Sequence, residues 1–167
     1  VHDTEDMATC IHVDDGILAV PSIQHAERFF SKAGLGGTRA LTYGPLTHTL
    51  GIDFDVEHSS QVRRVFMSQR PYAITILRRA SMLDCNATLT PATPGRKYTK
   101  ADGPTTNEEK AELAAQGLTK ELYHSITMSL NYLVVITRED MRFIQGKMAK
   151  YCNHPGSEHF KAQKHAL

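Results

Sequence analysis

Two adjacent aspartates, Asp14 and Asp15, lie between short apolar runs in the stretch Cys10-Ile11-His12-Val13-Asp14-Asp15-Gly16-Ile17-Leu18-Ala19-Val20. Neighbouring carboxylates repel unless a cation separates them, and Mg2+ takes one or two carboxylates together with substrate phosphates to fill its octahedral shell. Two such ions clamp the attacking and leaving oxygens of a phosphoryl transfer. Asp14 and Asp15 are therefore the candidate catalytic and metal-ligating pair. The same residues also occur in ordinary solvent-facing turns, where Asp and Gly are used for their backbone conformations alone.

The pair needs a reversal to present it. Asp-Gly between β-formers predicts a β-hairpin with arms at residues 7–13 and 17–20 and both carboxylates at an exposed tip. Pro21 ends the second arm, and Ser22 is placed to cap a helix to about Ala33, with Ala26, Phe29, Phe30 and Ala33 on one face and Gly34 as its stop. Residues 50–57 alternate apolar and acidic side chains with period two, the pattern of a half-buried strand. A turn at residues 58–61 then returns the chain through a partner strand, 62–67, that carries Arg63 and Arg64. Ser68 is expected to cap a helix to about Arg79, with Pro71 in its first turn and Tyr72, Ile76 and Ala80 in one stripe.

Residues 90–106 shift to Pro, Gly, Thr and Lys, which reads as an irregular connector. Asn107 is expected to cap a short helix closed by Gly117. Thr119 opens a longer one, in which Leu122, Ile126, Leu130 and Leu133 form a core stripe. Thr137 and Asp140 resemble a capping box for a helix to about Tyr151, and Ser157 begins another. The fold class expected is α+β.

Composition narrows the function. The chain has 167 residues, enough for one domain or part of a larger protein, and a net charge of only +1. That balance hides a segregation: residues 1–60 carry nine acids and three bases, whereas residues 61–100 carry eight bases and one acid, Asp84. A basic segment beside an acidic one suits a protein that grips a phosphate backbone with one part and does chemistry with another, although the same arginines could simply solvate their helix and strand. No run approaches the roughly 18 apolar residues of a membrane span, so no membrane partner is expected. Cys10, Cys85 and Cys152 are widely separated, which predicts reduced thiols in an intracellular protein. Cys152, His154 and His159 lack the spacing and the fourth ligand of a zinc finger. The chain opens on Val1 with no signal-like leader after it, which reads as a piece of a longer protein.

The order of landmarks resembles the reverse transcriptase of copia-type LTR retrotransposons. The residues that carry the resemblance run from Ile11-His12-Val13-Asp14-Asp15 through Phe29-Phe30-Ser31-Lys32, Gly34-Leu35-Gly36, Leu50-Gly51-Ile52, Met67-Ser68-Gln69 and Thr90-Pro91. They continue through Tyr123-His124-Ser125, Leu130-Asn131-Tyr132-Leu133 and Thr137-Arg138-Glu139-Asp140-Met141 to Pro155 and His159. Each motif alone is weak; shared order over nearly the whole chain is specific. The resemblance implies that residues 1–67 are the later half of a polymerase palm, with Asp14 and Asp15 matching the family's Tyr-Val-Asp-Asp pair and Leu50, Gly51 and Ile52 in primer-gripping strands. Residues 68–89 would start the thumb, 90–106 would be a linker, and 107–167 would be helical thumb and connection. His12 stands where the family has a tyrosine that touches the primer end, Gly16 where it has a bulky apolar residue, and Glu139 where it usually has proline. Arg63, Arg64 and Gln69 are further candidates for backbone contacts, from charge and placement.

By this resemblance the intact parent would be an RNA-directed DNA polymerase using two Mg2+ ions, a template-primer duplex of RNA or DNA, and deoxynucleoside triphosphates. It would work in a cytoplasmic particle or the nucleus, linked to fingers, first palm strands and integrase upstream and to RNase H downstream. The fingers and the first catalytic aspartate have no counterpart in these residues, so the chain alone is expected to be inactive. The rival expectation is a non-catalytic nucleic-acid-binding or assembly module left from a decayed element.

Overall fold

A computed structural model describes residues 7–12, 15–34, 44–59 and 62–167, except for the side chains of His58 and Arg63. It divides into two compact units, Val1–Phe66 and Met67–Leu167.

In the first unit, β1 (Ala8–His12) pairs antiparallel with β2 (Asp15–Ala19). The register differs from the one Asp-Gly predicts. His12 lies opposite Asp15 and Ile11 opposite Gly16, so Asp15 opens the second strand and Gly16 is a strand residue. Cross-strand pairing accounts for the difference: this register sets Cys10 against Ile17 and Thr9 against Leu18, and side-chain contacts of that kind outweigh a local turn preference. Val13 and Asp14 lie outside the described residues. After the hairpin, α1 (Ile23–Lys32) follows Ser22, whose hydroxyl hydrogen-bonds His25 Nδ1 at 2.8 Å. Ala26 is buried, while Phe29 and Phe30 meet edge to face at 5.6 Å, half-buried. Gly34, at φ +68°, takes the left-handed position that ends such helices.

The second sheet has the order β3 (His48–Thr49), β4 (Ile52–His58) and β5 (Arg63–Ser68). The strand expected from residue 50 begins two residues later. Leu50 and Gly51 both have positive φ, 51° and 75°, and form the reversal between β3 and β4. Two successive positive φ values are what a tight hairpin turn of the favoured twist requires. His48 pairs with Asp53 across this hairpin, and their side chains meet at 2.6 Å.

The second unit is helical. Its core joins Ile76 of α2 (Arg70–Arg79) and the C-cap residue Ala80 that follows it, Tyr123, Ile126, Leu130, Leu133 and Val134 of α4 (Lys120–Ile136), Ile144 and Met148 of α5 (Arg142–Ala149), and Phe160, Ala162 and Ala166 of α6 (Ser157–Ala166). The expected α4 stripe is there: Ile126, Leu130 and Leu133 are buried and Leu122 packs at the edge. Thr119 caps this helix, its hydroxyl accepting from Leu122 N–H. Between connector and α4, α3 (Asn107–Ala115) is capped by Thr106, not Asn107, because Glu109 completes a capping box with Thr106. Thr137 does not cap α5. Its hydroxyl donates to Gln69 Oε1, Asp140 is taken by Arg138, and a 3-10 turn at Glu139–Met141 precedes the helix.

The connector at 90–106 is irregular yet docked. His159 Nδ1 accepts from Gly156 N–H, which puts the ring proton on Nε2, and Nε2 donates to the Thr99 carbonyl at 3.0 Å. Tyr151 donates its hydroxyl to the Tyr98 carbonyl, and Arg96 pairs with Glu158 at 2.8 Å. Asp102 closes a 3-10 turn at Lys100–Asp102 by accepting from Thr99 N–H, a bond that holds its carboxyl below the usual range. Backbones also touch: a Cβ on Gly103 would lie 2.7 Å from the His154 carbonyl oxygen, and one on Gly156 would overlap the carbonyl of Asp102.

Candidate nucleic-acid interface

The candidate residues fall into three places. At the open end of the β1–β2 hairpin, His12 and Asp15 are opposite one another and exposed. Asp14, the other half of the expected pair, is outside the described residues. Among the described residues no three His, Cys, Asp or Glu side chains stand close enough to hold a metal ion. Asp15 is the one described carboxylate at the hairpin end.

At the β3–β4 reversal, Leu50 and Gly51 are in the turn and Ile52 opens β4 with only 8% of its surface exposed. Ile52 is therefore a packing residue and offers a ligand its backbone at most. Arg63 and Arg64 begin β5; Arg64 is exposed and lies 4.0 Å from Glu57, a separation at which solvent screens most of the attraction.

The third place is α2. Gln69, expected at a backbone contact, is instead 3% exposed and bonded to Thr137, so its amide is not presented to solvent. The reason is the extension of β5 to Ser68, which makes Gln69 the junction residue and turns it inward; Ser68 still accepts from Arg70 N–H. In its place stand Arg70, Arg78 and Arg79, all exposed on a helix of ten residues that contains no acid. Arg78 and Arg79 occupy the last turn, where the helix dipole favours cations. Arg79 is also aimed: its Nη1 donates to Ser125 Oγ on α4 at 3.0 Å. Ser125 is a partner the sequence reading missed, because it lies 46 residues away and only the packing of α2 on α4 brings it near. Arginines held at a helix end suit phosphate oxygens, which take bidentate guanidinium contacts.

These features are joined by a sequence relationship to retrotransposon Pol polyproteins. The chain is 34% identical over 124 residues to the retrovirus-related Pol polyprotein from transposon TNT 1-94 of Nicotiana tabacum, a match covering 74% of this chain and 9% of that polyprotein. No family model matches the chain, and no solved structure matches it at a significant level. Among the described residues, no helix is long and apolar enough to cross a membrane.

Proposed function

We propose that the chain is the later palm, thumb and connection segment of a copia-type reverse transcriptase, and that its own contribution is to grip a template-primer duplex. The observation that carries this reading is the acid-free basic helix α2, which follows directly on the strand bearing Arg63 and Arg64, within a chain similar to a retrotransposon Pol polyprotein. Supporting it are the hairpin that brings His12 opposite Asp15 and the tight reversal at Leu50 and Gly51. Nucleotidyl transfer is assigned to the intact polymerase, in which Asp14 and Asp15 would act together with fingers and a first catalytic aspartate that have no counterpart in these residues.

Duplex binding and primer extension test the two halves separately. The chain alone is expected to bind an RNA–DNA or DNA duplex with strong salt dependence and without need of Mg2+. Supplied with an upstream Pol segment, it is expected to support Mg2+-dependent extension that Asp14→Asn abolishes. Absence of duplex binding at low salt would remove the reading. Unchanged extension with Asp14→Asn would leave the non-catalytic binding module.

A further inference from the structure

The C-terminal end of α2 runs Arg78-Arg79-Ala80-Ser81-Met82, a serine preceded by arginines at the second and third positions before it and followed by an apolar residue. We infer that Ser81 is a phosphoacceptor site for a serine/threonine kinase of the arginine-directed class. Such a kinase reads guanidinium groups with carboxylates in its cleft, and a planar fork at two successive positions is a strong, geometrically specific handle.

The surroundings of Ser81 meet the other requirements of the reaction. Its side chain is exposed, and residues 83–90 beyond it are all exposed and lie in no helix or strand. Ser81 lines an open hollow of about 460 Å3 together with Arg78, Met82, Leu83, Asp84 and Cys85. Ser81 sits at φ 56°, a left-handed conformation that residues other than glycine and asparagine adopt at a cost, and the strain released in the extended form a kinase cleft accepts offsets part of the helix-end bonding lost there. The two arginines belong to the last turn of the helix, the part that frays first.

A second segment tests whether motif alone would suffice. Arg96-Lys97-Tyr98-Thr99 also sets basic residues before a hydroxyl, but here the hydroxyl and the leading arginine are both engaged. The Thr99 hydroxyl donates to Asp102, its N–H donates to the same carboxylate, its carbonyl accepts from His159, and Arg96 is paired with Glu158. The Ser81 segment is held by the bonds of the helix end, Ser81 N–H to the Arg78 carbonyl and Met82 N–H to the Leu77 carbonyl, and Arg79 is bonded to Ser125, but among the described residues the Ser81 hydroxyl has no partner of the kind that engages Thr99. Geometry therefore selects Ser81 over Thr99.

In the reaction, Ser81 Oγ attacks the terminal phosphorus of a nucleoside triphosphate supplied with the kinase. The new O–P bond replaces the bond to the β-phosphate oxygen, the nucleoside diphosphate leaves, and the hydroxyl proton passes to the kinase's base. The product places a dianion beside Arg78 and Arg79 and against the negative end of the helix dipole, converting the basic end of α2 into a neutral or acidic one.

The test is treatment of the whole chain with the catalytic subunit of an arginine-directed kinase and Mg-ATP, read by intact mass and peptide mapping. One phosphoryl group mapped to Ser81 is expected, absent from Ser81→Gly, a variant that suits the positive φ and so keeps the fold. In Arg78→Ala/Arg79→Ala, whose helicity is checked by circular dichroism, incorporation is expected to slow by at least about tenfold, since charged hydrogen bonds of this type are lost. Phosphate on Thr99 instead, no phosphate at all, or an unchanged rate in the double variant overturns the assignment. The assignment is independent of whether the chain binds a duplex.

Discussion

The imidazole of His159 lies flat against the ring of Tyr151, with centroids 4.0 Å apart and 9° between the planes. Both rings reach from the α5–α6 end of the second unit to carbonyls of the connector, at Thr99 and Tyr98. Burial pulls the His159 pKa below its ordinary value, against the opposing pull of its hydrogen bond to Thr99 and of the Asp102 and Glu158 carboxylates. The unfolded chain therefore takes up the imidazole proton at a higher pH than the folded one. Stability from this group is complete above about pH 6.5 and is lost as pH falls through the lower folded value. The thermal midpoint is expected to decline between roughly pH 7 and 5, before the carboxylates Asp102, Asp140 and Glu158, also held low, begin to protonate. His159→Gln should flatten that decline. A wild-type midpoint that stays level over the interval would refute the mechanism.

Gln163 is fully buried, and its Nε2 donates to the Tyr123 carbonyl at 3.0 Å and to Thr127 Oγ1 at 2.7 Å, while its Oε1 has no partner among the described residues. Truncation to alanine is expected to cost about 2–4 kcal/mol, chiefly by opening a cavity. Methionine, similar in length and apolar, removes the unsatisfied acceptor together with the two donated bonds and should cost about 1–2 kcal/mol. Urea denaturation of the two variants separates these contributions; equal losses would mean that the polar bonds, not the volume, dominate.

The hairpin register makes opposite predictions for two glycines. Gly16 lies within β2, and a Cβ there would meet the Cys10 carbonyl and Ile11 at 3.8 and 3.9 Å, ordinary contact distances. Gly16→Val should be tolerated or stabilising by about 0.5–1 kcal/mol, because valine favours strands. Gly51, at φ +75°, should lose about 1 kcal/mol as alanine. Amide exchange across each hairpin measures both, and damage from Gly16→Val would return that residue to the turn.

If α2 contacts phosphates through Arg78 and Arg79, replacing both with alanine should lower duplex affinity about equally for all sequences. It should also reduce the slope of log K against log salt by up to about 2. Anisotropy titrations at several salt concentrations give the slope directly. A fall in affinity with no change in slope would point to a packing defect, such as loss of the Arg79 contact with Ser125.

What could be read from residues alone was whatever repeats at short range. The period of Ile126, Leu130 and Leu133 exposed the core face of α4 because a helix reports its buried side every three or four positions. Caps were harder, since Thr106 and Asn107 are equally good candidates until Glu109 chooses between them. The turn preference of Asp15-Gly16 misled because pairing along both strands outvotes two residues. The docking of the connector was invisible. Tyr98, Thr99 and Arg96 find partners 53, 60 and 62 residues away, and no periodicity encodes contacts of that span. At the candidate interface the same limit applied: the arginines of α2 announced themselves by charge, but the inward turn of Gln69 depended on Thr137.

Where Gly103 and Gly156 cross, main chain rests directly on main chain. A library of random variants would return glycine alone at position 156, whatever property the screen rewarded, because exclusion by volume takes no account of chemistry. The two loops are in this sense a single locus with two addresses, and neither can be redesigned without the other.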